Sequence, residues 1–176
     1  MSVRKTRVDK PILGLDFGNT IVDVSGCVQL AGKRFRDFNF EELRNAHPYP
    51  DAYDSVRKLS ENWFSEVHIV SKCDQESEGN ITLWLHIHHF LDGGLIPTNG
   101  IHFCREREDK APICKRLGIT HFVDDRVQVL KPMETVPYRY RLGNRNDEPE
   151  GFQEIPKGIV HVQNWTELKE EILSTF

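Results

Sequence analysis

Short apolar runs alternate along this chain with longer stretches in which apolar residues recur every three or four positions. Runs at residues 12–16, 66–71, 100–104, 120–123, 137–142 and 159–162 read as strands. Between them, Ala52, Val56 and Leu59 form a stripe at helical spacing, and Asp51 behind a proline-rich turn predicts the N-cap. A second helix is expected over residues 81–91, capped by Asn80 and ended by Gly93-Gly94. A third is expected over 110–117, stopped by Gly118. A terminal one should follow Asn164, with Glu167 at capping-box spacing. Such alternation predicts an α/β fold with a central parallel sheet. Residues 22–35 contain Ser25-Gly26 and Gly32-Lys33 and predict a small hairpin within a flap at 22–47. Residues 1–10 read as a solvated arm and 143–157 as a polar, mobile loop.

The chain has 176 residues, enough for one domain spanning 1–176 with a sizeable core. With 38% hydrophobic and 28% charged residues it reads as a globular rather than a disordered chain. A formal charge of -4 gives no electrostatic signal for a nucleic-acid partner. No apolar stretch is long enough to span a membrane, and the charged N-terminus lacks the apolar core of a secretory signal. Cys27, Cys73, Cys104 and Cys114 show no CxxC pairing and are expected to be reduced, which favours the cytoplasm.

The chemistry lies at the strand ends. In parallel sheets, ligands bind outside the carboxyl ends of the strands. Four strands deliver polar groups there: Asp16, Ser71, Arg105 and Asp124-Asp125, with Lys110 opening the following helix. Three carboxylates brought together repel unless a cation sits among them, and their hard oxygens suit Mg²⁺. Lys110 and Ser71 would hold a phosphate beside the metal, leaving Asp16 free to attack phosphorus. His86, His88 and His89 look like a metal cluster, but only His86 and His89 share a helix face, and no acid or cysteine joins them. Trp63, Trp84 and Trp165 read as core or core-edge aromatics.

This set resembles the haloacid dehalogenase (HAD) superfamily over residues 11–130. Its first motif matches Asp16-Phe17-Gly18-Asn19-Thr20, its second His68-Ile69-Val70-Ser71, its third Lys110, and its fourth Phe122-Val123-Asp124-Asp125. The resemblance implies a Rossmann-like three-layer sandwich with only a small flap as cap. It implies Asp16 as nucleophile and metal ligand, the Gly18 carbonyl as a further Mg²⁺ ligand, and Ser71 and Lys110 as phosphate binders. Asp124 or Asp125 would complete the metal site. The Asn19 amide can hydrogen-bond to phosphate but cannot protonate a leaving group. An open site implies a phosphorylated substrate that is large, up to macromolecular, or a lid from another subunit of an oligomer.

The departure from the family pattern is Gly18, where the family carries the aspartate that serves as general acid and base. Superfamily branches that do not hydrolyse ordinary phosphate esters also lack that acid. The expected function is therefore Mg²⁺-dependent phosphohydrolysis through an aspartyl-phosphate, slow or limited to good leaving groups. The alternative is a catalytically lapsed, phosphate- and metal-binding regulatory protein. A further resemblance of residues 14–20 to the phosphate hairpin of sugar kinases and actin leaves residues 122–126 unexplained.

Overall fold

The computed structural model describes residues 10–144, 151 and 154–176. The expected arm lies outside these residues apart from Lys10, and so does much of the loop at 143–157. Six parallel strands form one sheet: β1 (Ile12–Leu15), β2 (Glu66–Lys72), β3 (Ile101–Cys104), β4 (His121–Asp124), β5 (Tyr138–Leu142) and β6 (Ile159–Val162). Their order is β3-β2-β1-β4-β5-β6. Leu15 of β1 pairs with Ile69 of β2 on one side and Val123 of β4 on the other. The chain winds outward from β1 in one direction, then returns beside it, so the topological switch point falls at the carboxyl end of β1.

Both sheet faces are covered, as the apolar strands require. On one face Leu13, Leu15, Val67 and Ile69 pack with Val56 and Leu59 of α3 (Ala52–Asn62), Trp84 of α4 (Gln75–Ile87) and Trp165 of the terminal helix (Trp165–Leu173). On the other, Val70 and Phe122 pack with Cys114 of α5 (Lys110–Leu117) and Leu130 of α6 (Val127–Leu130). Gly14 has no room for a side chain: a Cβ there would sit 2.6 Å from Phe122 Cδ2 and 2.8 Å from Ile119 Cδ1. Among the described residues no helix is long and apolar enough to cross a membrane.

Local chemistry moved several expected elements. Residues 22–35 form no hairpin but hold a helix, α1 (Val24–Ala31). Asp23 Oδ1 accepts from Gly26 N at 2.8 Å, and Gly32 ends the helix in the left-handed conformation at φ 65°. Ser25-Gly26 is thus a first helical turn, and Gly32 a C-cap. A second short helix, α2 (Phe40–Asn45), follows. Helix α4 begins at Gln75, not Ile81, because Asp74 caps Ser77 N at 2.9 Å. Asn80 lies inside that helix and donates to the carbonyls of Phe35, Arg36 and Phe38. Trp84 Nε1 also donates to Ala46 O at 2.6 Å, so the 22–47 segment is fastened along α4.

Asp51 stands at the N-cap position of α3 with φ 64°, but its carboxylate accepts from Thr166 Oγ1 instead of capping. Asn164 caps α7, the terminal helix, through Glu167 N, whereas Glu167 reaches Gln163 N, one residue before the position a capping box uses. Trp84 and Trp165 are core residues; Trp63 is 41% exposed and leans on Phe176.

His121 is buried in an aromatic stack with Tyr138 and Phe176, with Phe64 edge-on. Burial pushes its pKa down to about 4. An unfolded chain takes up this proton near pH ~6.5. The native state therefore loses stability as pH falls from the unfolded value toward about 4. At pH ~5 the expected loss from this residue is about 2 kcal/mol. Urea unfolding at neutral pH and at pH ~5 should show a smaller acid loss in His121→Gln than in the parent. Equal acid sensitivity in the two proteins would rule out His121 as the source.

Candidate active site

The site forms where β1 and β4 end. Asp16 follows β1 directly, and its N–H donates to Val123 O at 2.9 Å, so strand pairing orients the residue past the last sheet position. Asp124 closes β4 and is fully buried; Asp125 follows it. Lys110, the first residue of α5, is 2% exposed and reaches down between them. Its Nζ lies 2.8 Å from Asp16 Oδ1 and 2.8 Å from Asp124 Oδ2. Two of its three donors are thus committed, and one remains. Asp124 Oδ1 accepts from Arg126 N at 3.0 Å. Carboxylate oxygens of Asp16, Asp124 and Asp125 lie within 4.8 Å of one another.

These groups line a cavity of about 300 Å³ that also takes in Gly18, Asn19 and Ser71. Seven of the eight residues singled out from the sequence therefore line one cavity. Arg105 does not join them: its guanidinium donates to Cys73 O and pairs with Glu78 Oε1 at 2.5 Å. Two basic residues that sequence reasoning passed over, Lys72 and Arg107, also line the cavity. The available signal was that Arg107 stands three residues before Lys110, hence on the same helical face.

Burial alone would push Lys110 down, but the charges of Asp124 and Asp16 outweigh it and hold the amine above the ordinary lysine range. Burial, with repulsion from Asp16 and Asp125, raises Asp124; burial and Asp16 likewise raise Asp125. With all three ionised, the carboxylates exceed the Lys110 ammonium by two negative charges, met only by Arg126 at 3.9 Å from Asp125. A divalent cation with oxygen preference matches that deficit in charge and in donor type.

Gly18 is not required by the backbone. It is absent from the glycines in the left-handed region, and a Cβ would meet only Val24, at 3.5 Å, an ordinary contact. Asn19 takes the left-handed conformation at φ 57°. Its amide is used internally, donating to Ser25 Oγ at 2.9 Å and accepting from Ser25 N at 3.0 Å. Asp23 caps α1 and does not line this cavity. Asp74 does line it, but hydrogen bonds from Ser77, with help from Arg36, hold it below the usual carboxylate range. The Cys73 thiol, also at the wall, is pushed up to about 11 by burial. Neither Asp74 nor Cys73 is tuned to deliver a proton near neutrality.

The turn after Asp16 is tied from three sides. Asn19 N donates to Val22 O, Tyr49 N donates to Ile21 O, and Trp165 Nε1 donates to Thr20 O at 2.9 Å. Beyond Asn19, Asp125 and Arg126 the cavity adjoins a cleft of about 1170 Å³.

No protein-family model matches the sequence, and no curated protein is similar to it in sequence. Solved structures do match. A D,D-heptose 1.7-bisphosphate phosphatase from B. bronchiseptica, complexed with magnesium and phosphate, is 13% identical with TM-score 0.64, over 94% of this chain and 99% of that one. A haloacid dehalogenase-like family hydrolase from Xanthomonas campestris is 10% identical with TM-score 0.62, over 94% and 96%. A phosphoserine phosphatase from T. onnurineus is 14% identical with TM-score 0.52, over 97% and 98%. At these identities the likeness is one of fold, and the chain has the haloacid dehalogenase-like fold.

Proposed function

We propose that the protein is a Mg²⁺-dependent phosphohydrolase that works through phosphorylation of Asp16 and is restricted to substrates with good leaving groups. The observation that carries this reading is the convergence of Asp16, Asp124 and Asp125 around Lys110 in a cavity that also holds Ser71. Asp16, Asp124 or Asp125, and the Gly18 carbonyl would hold the ion. Bound there, Mg²⁺ would offset the charge of the carboxylates and polarise the phosphoryl oxygens. Lys110 keeps its charge and has one donor left for a phosphoryl oxygen; the Ser71 hydroxyl offers another. Asp16 then attacks phosphorus, and the bond to the leaving oxygen breaks with its electron pair on that oxygen. With no side chain at Gly18, the departing anion takes its proton from solvent. Acyl and aryl phosphates tolerate this, whereas alkyl esters do not.

The missing group would also have activated the water that frees Asp16. Mixing enzyme with 4-nitrophenyl phosphate and Mg²⁺ should therefore release a burst of nitrophenol, about one per protein, followed by a slower steady rate. Acetyl phosphate should also be hydrolysed, with chelation of the metal abolishing both reactions. A linear time course without a burst would count against a long-lived phosphoaspartate. The regulatory reading draws on the missing side chain at Gly18 and on Asp74 and Cys73 being shifted away from neutrality. It predicts phosphate or Mg²⁺ binding without turnover of any of these compounds.

A further inference from the structure

The cations around the cavity outnumber what a single phosphate needs. On the floor, Asp16, Asp124 and Asp125 face Lys110, and a divalent ion brings that group to neutrality. A phosphate monoester then adds a charge of about -1.5 to -2 near neutral pH. The wall supplies three further cations, Lys72, Arg107 and Arg126. The one other acid there, Asp74, is already paired with Arg36 at 3.0 Å. Arg126 leans loosely on Asp125 at 3.9 Å.

Lys72 and Arg107 form no ion pair among the described residues, although Glu106 and Glu108 flank Arg107 in sequence. Nearby basic residues do find carboxylates: Arg105 takes Glu78, and Arg36 takes Asp74. Position adds to this. Arg107 lies in the short turn Arg107–Asp109 that leads into α5, three residues ahead of Lys110 and so on its face. Lys110 sits at the closed end of the cavity; Arg107 is half-buried and Lys72 exposed, as rim residues are.

We infer that the substrate carries a second anionic group, a carboxylate or phosphate on the portion that leaves, and that Arg107 and Lys72 bind it at the mouth of the cavity. This rests on the phosphohydrolase reading above. The planar fork of Arg107 suits a carboxylate or phosphate held through two hydrogen bonds, and Lys72 adds a point charge. The substrate class is thus a phosphorylated acid or a bisphosphate rather than a neutral alcohol phosphate.

Calorimetric titrations at fixed free Mg²⁺ and low salt test this with methylphosphonate and phosphonoacetate, which differ by one carboxylate. Phosphonoacetate is expected to bind at least about tenfold more tightly, the scale of one charge-assisted pair. That advantage should shrink in Arg107→Gln and vanish in the Arg107→Gln, Lys72→Gln double variant. It should persist in Arg57→Gln, whose parent arginine pairs with Glu61 on α3. Methylenebisphosphonate in place of phosphonoacetate separates the two sources: the tighter binder tells whether the second group is phosphate or carboxylate. Equal affinity for methylphosphonate and phosphonoacetate in the parent protein would overturn the second subsite alone. An advantage that survives in the double variant would overturn the assignment to these two residues. Failure of methylphosphonate itself to bind would overturn the phosphate site and this inference with it.

Discussion

Gly18→Asp is expected to raise hydrolysis of a simple alkyl phosphate by ~10²–10⁴-fold, the usual contribution of a positioned general acid. The structure gives this substitution unusually clear ground. Glycine at position 18 is not held by a left-handed backbone, and the new Cβ meets only Val24 at a comfortable 3.5 Å. Gly18 already lines the cavity, so the added carboxyl starts from its wall. Burial and the neighbouring Asp16 would raise its pKa, as they do for Asp125, the direction in which a carboxyl holds a proton to donate. Release of phosphate from glycerol phosphate, compared with acetyl phosphate, is the measurement. The alkyl ester should gain far more than the acyl phosphate, and the burst with nitrophenyl phosphate should give way to steady turnover. An equal gain on both substrates would mean that the residue acts through something other than protonation.

Asp16→Asn should abolish turnover, with a loss of at least ~10⁴-fold, since an amide oxygen is a poor nucleophile toward phosphorus. The same change should leave the metal-free protein as stable as its parent, or up to about 1 kcal/mol more stable. Three carboxylates currently share one ammonium, and repulsion from Asp16 contributes to raising both Asp124 and Asp125. Asparagine removes one negative charge while keeping an oxygen for the Lys110 hydrogen bond. Thermal unfolding with chelator, set beside acetyl phosphate hydrolysis, separates the effects. Loss of activity together with a marked fall in stability would make Asp16 a structural partner of Lys110 rather than a nucleophile. Activity that persists undiminished would end the nucleophile assignment.

Much of this arrangement was legible because strand ends are written in local chemistry. An apolar run that closes on Asp16, on Ser71 or on Asp124 announces both the strand and what it delivers, and a parallel sheet brings such ends to one edge. Helix α5 was equally plain, with Lys110 at its start and Gly118 at its end. Other features depended on partners far away in the chain. Ser25-Gly26 looked like a turn because nothing in the sequence shows Asp23 closing over Gly26. Asn80 looked like a cap because its carbonyl partners, Phe35, Arg36 and Phe38, lie some forty residues earlier. Arg105 seemed to point toward the site until Glu78, on α4, claimed it. Arg107 and Lys72, with no ion pair among the described residues, were the basic residues left lining the cavity.

The hydrogen bond from Trp165 to Thr20 spans 145 residues, nearly the length of the chain. On the ribosome the turn that carries Asp16 emerges early, and the indole that holds it emerges late. At ~5–20 residues per second the two are separated by roughly 7–30 s of synthesis. Through that interval the turn lacks one of its three ties. A nascent chain thus has Asp16 long before the last support for the turn beside it. The turn beside Asp16 is fully held only on chains whose terminal helix has been made.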